Sequence, residues 1–263
     1  MKKFLALILA GIMCVGVTSC GKKEVADNTA SESDLAYVTE KGKLVVGVTE
    51  FEPMDYRDEN GEWTGFDAEF ANAVAELMGV EAEFVEIDWD NKFLELDAKS
   101  IDCIWNGMTI TDEVTLNTNC SIPYAKNEQV VVMKADVVDN YKDTDSLKDI
   151  KFAVESGSAA EAAAEEMGLN IVAVKAQSDA LMEVEAGSTE ACIIDATMAE
   201  SMTGEGTSYV DLAKGISLTK EEYGIGFRKG SDIKEAVDVY IKQLKDNGTL
   251  TALSEKYGVS LAD

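Results

Sequence analysis

The groups with which this chain could do chemistry are carboxylates, hydroxyls and main-chain amides, because its 263 residues include no histidine. Without imidazole, both the usual general base near neutral pH and the commonest metal ligand are missing. Ser-His-Asp and Cys-His nucleophilic catalysis, HExxH zinc sites and histidine-rich iron sites are thereby excluded. Cysteine does not fill the gap: Cys103, Cys120 and Cys192 are widely spaced, sit in apolar contexts and form no CxxC pair. No catalytic residue, metal site or cofactor is expected. What remains are polar groups at the ends of apolar runs. Asp195 follows Cys192-Ile193-Ile194, where an ionised carboxylate is costly unless it is paired. That position suits an arriving cation, or a cap for a helix starting at Ala196. Gly157 in ESGSAAE (155–161) precedes a helix start. Unpaired N–H groups of Ser158 and Ala159 would there face a carboxylate, unless the glycine merely turns strand into helix.

The charge balance narrows the partners. Fifty acidic against 23 basic residues give a formal net charge of −27, and the arginines are only Arg57 and Arg228. Such a chain would repel a polyanion, so nucleic acid is not its partner.

Strand-length apolar runs alternate with helical periods. Strands are predicted at 44–48, 83–87, 102–108, 129–133, 151–154, 171–174, 191–195 and 223–227, and helices at 66–78, 91–99, 159–167, 179–186, 233–245 and 250–257. Several strands are apolar on successive positions, as in strands covered on both faces. The alternation predicts an α/β fold with mostly parallel sheets. An internal echo pairs AKSID (98–102) with AGSTE (186–190) and aligns Gly107 with Asp195. Both then stand at the carboxyl ends of equivalent strands, where ligands of open α/β sheets collect.

The amino terminus reads as an address. Lys2 and Lys3 precede a fourteen-residue apolar stretch, Phe4 to Val17, too short to span a ~30 Å hydrocarbon core comfortably. Val17-Thr18-Ser19-Cys20 resembles a bacterial lipobox, which implies a signal peptide over 1–19 and acylation of Cys20. The polar, patternless segment that follows is expected to be a flexible tether, giving 20–37 to the lipidated cysteine and tether.

From Gly107-Met108-Thr109-Ile110-Thr111 outward the chain carries a family likeness. GKLVVGV (42–48), DENGEWTGFDAEFANAVAELMGV (58–80), IDCIWNGMTITDE (101–113), SIPY (121–124), ESGSAAE (155–161), ACIID (191–195), EEYGIGFRKG (221–230) and LKDNGTLTALSEKYG (244–258) occur in that order. Together they resemble the amino-acid-binding family (family 3) of ABC-transporter extracellular solute-binding proteins. The resemblance implies a two-lobed type II periplasmic-binding fold. One lobe would be 38–128 plus 224–263 and the other 129–223, with a hinge near 129–134 and 221–227. It implies a monomer that closes on a small solute and hands it to a membrane permease without chemistry. With the lipid anchor, the protein is expected outside the cytoplasmic membrane of a Gram-positive cell.

Residue by residue, the resemblance assigns Asp195 to the ligand's α-ammonium and Trp89 and Phe51 to its side chain. Asn106, Gly107 and Thr109 lie in the segment that supplies main-chain and hydroxyl groups, and Ser158 and Ala159 stand at the carboxylate-binding helix start. The departure is Val114, which occupies the place of the family's carboxylate-clamping arginine. Glu155, where relatives carry an apolar or basic residue, and Glu50 add carboxylates and no arginine. Two ligands fit this pattern: a polar or basic amino acid held by main-chain groups, or a cationic amine lacking an α-carboxylate, such as a polyamine. A ligand-sensing surface receptor is a third reading. An enzyme resembling the dehydratases of this fold would need Glu50, Glu155 or Asp195 to move a proton.

Overall fold

A computed structural model describes residues 33–263; the signal segment, Cys20 and the tether up to residue 32 lie outside the described residues. In chain order the first half contains α1 (Asp34–Lys41), β1 (Lys43–Val48), the hairpin β2 (Tyr56–Arg57) and β3 (Trp63–Thr64), α2 (Phe66–Met78), β4 (Glu81–Glu86), α3 (Lys92–Asp97), β5 (Cys103–Ile104), α4 (Asp112–Asn117), β6 (Asn119–Cys120) and β7 (Ala125–Asn127). Then come β8 (Gln129–Lys134), β9 (Lys151–Glu155), α5 (Ala159–Glu166), β10 (Asn170–Val174), α6 (Gln177–Glu185), β11 (Ala191–Asp195), α7 (Ala196–Met202) and β12 (Leu212–Ser217). The chain returns through β13 (Glu221–Tyr223) and β14 (Gly226–Phe227) and ends in α8 (Ile233–Asp246) and α9 (Thr249–Tyr257).

These strands build two five-stranded sheets of the same design, β4-β1-β5-β14-β6 and β10-β9-β11-β8-β12. Each is mixed. The first three strands of each order are parallel, and the other two pairings are antiparallel. The antiparallel strands are those adjoining the passages between the sheets. β5 and β11, the strands paired by the sequence echo, both hold the third place.

The apolar runs are buried on both faces. In β8, Val130 and Val132 join the main core, while Val131 and Met133 join a second cluster with Phe152, Val154 and Ile193 on the opposite face. In α8 the buried Ile233, Val237, Ile241 and Leu244 recur at helical spacing.

Three expectations change. The passage between the sheets is the antiparallel pair β7–β13 (Asn127↔Glu221, Tyr223↔Ala125), whereas 129–134 is a central strand of the second sheet. The run 102–108 is a strand only over Cys103–Ile104, since Asn106 and Gly107 are drawn into side-chain bonds described below. The tether expected up to residue 37 gives way to α1 from Asp34. Ser33 caps this helix through Ala36 N–H, and buried Asp34 accepts from Arg228 Nε at 2.9 Å. Arg228 also donates to the Ile101 carbonyl (2.7 Å) and approaches Asp102, so it pins α1 to the first sheet. The Asp34 charge is thus buried and paired.

The cysteines Cys103, Cys120 and Cys192 are free. β14 runs between the strands of Cys103 and Cys120, with Phe227 opposite Cys103 and Gly226 opposite Cys120. Two strand spacings place their backbones roughly 9–10 Å apart, beyond the ~7 Å reach of a disulfide.

Candidate functional site

β9 and β11 are adjacent and parallel, so their carboxyl ends reach the same edge of the second sheet. Glu155 and Asp195 are the last residues of these strands. Both line a cavity of about 250 Å³. The first half closes it with Trp89, Lys92, the segment 106–109, Thr111, Asp112, Glu113 and Val114, and the second half adds 157–159, Ala162, Gln129 and Gln177. Of the sequence-predicted residues, Trp89, Asn106, Gly107, Thr109, Val114, Glu155, Ser158, Ala159 and Asp195 are brought together here.

Phe51 is not. Its ring is buried beneath Gly107, edge-on to Tyr223 at 6.4 Å between centroids. It acts on the site from behind. Gly107 adopts φ +54°, and a Cβ there would stand 2.5 Å from Phe51 Cε1. The glycine is therefore required by the packing under the cavity wall as well as by its left-handed backbone. Its N–H donates inward to Asp67 (2.6 Å), so it does not face a solute. The Asn106 side chain also points inward, donating to Asp55 (2.8 Å) and the Thr49 carbonyl (3.0 Å) and accepting from Thr49 Oγ1 (2.7 Å). Burial raises the carboxyls of this scaffold. Asp55 is pushed well above the usual range with Asp67 adding to the effect, and Asp67 reaches about 7 despite the bonds from Gly107 and Tyr124. Glu50 lies off the cavity and pairs with Arg57 (3.7 Å), a partly exposed arginine stacked on Trp63.

Asp195 is 5% exposed. Its Oδ1 accepts from Asn127 Nδ2, from Gln129 Nε2 (3.0 Å) and from Tyr223 Oη (2.8 Å), and its Oδ2 accepts from Gln177 Nε2. Gln177 holds it from both sides, accepting the Asp195 N–H at 2.9 Å. No side-chain capping bond to α7 forms, so helix capping does not explain the residue. Burial raises its carboxyl, helped by nearby Glu221 and opposed by these donors. Glu221, on the crossing strand β13, shares two of the donors: Asn127 and Gln129 each reach its Oε1 at 2.7 Å, as does Thr109 Oγ1 at 2.8 Å.

Glu155 is 3% exposed, and its Oε1 has no hydrogen-bond partner among the described residues. Burial, then the charge of Asp195, pushes its carboxyl well up. Beyond it the turn is held by two bonds: Ser158 Oγ, at the N-cap, accepts from Glu161 N–H (3.2 Å), and the Glu161 carboxylate accepts from Gly157 N–H, one residue before the cap (2.7 Å). Ser158 N–H donates to the Glu155 carbonyl at 3.3 Å. Of the two amides expected to await a carboxylate, that of Ala159 is the one left over.

The sequence reading missed Lys92, Gln129 and Gln177. Lys92 shares a helix face with fully buried Leu96, four residues on. A lysine in line with a core leucine is the signal that could have flagged it. Gln177 was hidden by starting α6 two residues late, and Gln129 looks like any first residue of a strand.

The arrangement offers a small, largely buried chamber with two carboxylates on one wall, an ammonium and an open amide near them, and an indole at the side. It is suited to holding a compact charged solute. Residues 44–260 match the family of bacterial extracellular solute-binding proteins, family 3. The chain is 30% identical to the L-cystine-binding protein TcyJ of Escherichia coli over 95% of its own length and 94% of the relative's. It is also 30% identical to the arginine-binding extracellular protein ArtP of Bacillus subtilis, over 98% of both chains. Among solved structures it resembles the ancestral amino acid-binding protein AncCDT-1, a precursor of cyclohexadienyl dehydratase, with a TM-score of 0.80 and 32% identity over 86% of this chain and 99% of that one. By fold, by site architecture and by this match, the chain belongs to family 3 of the bacterial extracellular solute-binding proteins.

Proposed function

We propose that the protein captures a basic or polar α-amino acid in the 250 Å³ cavity and delivers it to an ABC-transporter permease. The observation that carries this reading is Glu155. Its carboxyl is buried beside that of Asp195, and its Oε1 meets no hydrogen-bond donor among the described residues, so a ligand that donates to both carboxyls relieves the cost of burying them. A ligand bearing an α-ammonium and a second polar or cationic group would satisfy both. The α-ammonium takes the remaining acceptor position of Asp195 Oδ2, Trp89 covers the aliphatic part, and Glu155 receives the side chain. The relatives named for cystine and arginine bind solutes of this kind. Attachment through Cys20 and a position on the outer face of the cytoplasmic membrane complete the reading. Closure would occur about the β7–β13 passage, the bound state being favoured by contacts made only when both halves meet the ligand.

The Val114 site favours a second ligand class, an amine without an α-carboxylate, because no arginine reaches the cavity. Proton transfer would fall to Glu155, Asp195, Asp112, Glu113 or Lys92, the titratable groups on the cavity; Asp195 is already held by four donors, and the turnover measured in the titration below tests the rest. Calorimetric titration of the purified protein with the basic and polar amino acids, cystine and a set of polyamines tests the proposal. Saturable binding of an α-amino acid with no turnover is expected. Binding of amines alone would favour the second class, and consumption of a bound solute would overturn both.

A further inference from the structure

We propose that Lys92 is the carboxylate-recognising residue of this cavity, taking from the first half of the molecule the charge that Val114 cannot supply. This rests on the amino-acid reading of the same site and names the group that distinguishes amino acids from amines within it.

Among the described residues Lys92 is the one cation lining the cavity, and it is 4% exposed. Both arginines are committed elsewhere, Arg228 to Asp34 and Asp102 and Arg57 to Glu50 and Glu86. Yet among the described residues no carboxylate pairs with Lys92. Its Nζ donates to two carbonyls, that of Trp89 at 3.3 Å and that of Gly157 at 2.7 Å. An ammonium has three donors, so one remains.

The location of that spare donor is specific. Gly157 lies two residues before Ala159, the first residue of α5, whose N–H takes part in neither of the bonds that close the turn. Lysine ammonium and helix start thus converge on one corner of the cavity, and both favour a negative group there. Glu113, Glu155, Asp90 and Glu161 face the ammonium at longer range, Glu155 from the acidic wall itself, but none of them bonds it. Asp195 and Glu155 stand on the carboxyl edge of the second sheet, so the chamber has an acidic wall, which a bound cation would ionise, and one positive corner. A zwitterionic head group has the matching polarity.

A purely structural role, a strut between α3 and the Gly157 turn, would also explain the 2.7 Å bond. The two roles separate when amino acids are compared with their decarboxylated amines. Isothermal titration of wild type, Lys92→Met and Lys92→Arg would use arginine with agmatine, lysine with cadaverine and ornithine with putrescine, with ligand-free Tm recorded for each variant. We expect Lys92→Met to weaken the amino acid by about 10- to 100-fold, as loss of a charge-assisted bond does. The matching amine should change by less than about threefold, and Lys92→Arg should recover part of the loss. Equal loss for acid and amine, or no loss for either, would overturn the inference, the first by showing a strut and the second an idle charge. A wild-type protein that binds amines and no α-amino acid would refute the functional reading itself, and this assignment with it.

Discussion

The two halves of the molecule share one strand order and use it for opposite chemistry. In the first sheet, β5 runs into Gly107, whose amide is turned inward to Asp67 and whose missing side chain makes room for Phe51. In the second sheet, the corresponding strand β11 ends in Asp195, which carries the charge itself. The first half therefore offers mainly shape, a main-chain wall fixed from below with an indole and a valine on it, and one buried cation, Lys92, at a corner. The second half offers the buried acids, Glu155 and Asp195 on neighbouring strand ends. Repetition of the topology brings the two ends face to face, and divergence at equivalent positions leaves a glycine on one side and a buried carboxyl on the other.

The sharpest way to break this contrast is to remove the charge. Asp195→Ala should weaken ligand binding by about 2–5 kcal/mol, because a buried ammonium would lose its partner together with the bonds from Tyr223 and Gln177, while Asn127 and Gln129 keep Glu221. Titration calorimetry reads it. Affinity within threefold of wild type would take Asp195 out of the site. Removing shape should instead strike the fold. Gly107→Ala forces a side chain into positive φ and against Phe51, and should lower stability by about 2–4 kcal/mol in denaturant unfolding. Adding Phe51→Leu should return part of that loss. Strictly additive losses would mean that backbone conformation alone sets the cost.

Glu155→Gln tests whether the charge of the second half is divided between two roles. It keeps the side chain's size and removes one charge. Basic amino acids should then lose about 1–3 kcal/mol of affinity, and neutral ones much less. Equal losses would show that Glu155 shapes the chamber without reading the side chain.

Much of this contrast was legible in the sequence, and the pattern of what was not is instructive. The α2 boundaries and β11 follow from apolar periodicity and a closing glycine, and Asp195 was conspicuous as an acid ending an apolar strand. These are local signals. Phe51 lies behind the cavity wall, and an aromatic near a site and an aromatic under a site look alike in sequence until the backbone of Gly107 is placed over its ring. Helix α1 was lost to the tether because its stabilising partner, Arg228, is 194 residues away. Lys92 was overlooked because a charged residue reads as exposed until Trp89 and Gly157 are seen to enclose it. Polar networks assembled from both halves, such as Asn127 and Gln129 between Asp195 and Glu221, leave no periodic trace at all.

The last and smallest test uses protons to compare the halves. Asp55 and Asp67 in the first half, and Glu155 and Asp195 in the second, are all raised by burial. A carboxyl raised in the folded state holds its proton where the unfolded chain has lost it. Its contribution is present at lower pH and disappears as pH climbs through the folded value. Ligand-free stability should therefore fall as pH rises from the ordinary carboxylate range, about 4, to about 8, with the Asp67 share complete near 7. A bound cation favours the ionised form of Glu155 and Asp195 only. Saturating ligand should flatten part of the slope and leave the share of Asp55 and Asp67, while binding near pH 7 releases a fraction of a proton. Calorimetry in buffers of different ionisation enthalpy measures that release. Proton uptake, or a slope that ligand leaves untouched, would show that the charged wall does not meet the ligand and that the contrast between the halves ends at their shape.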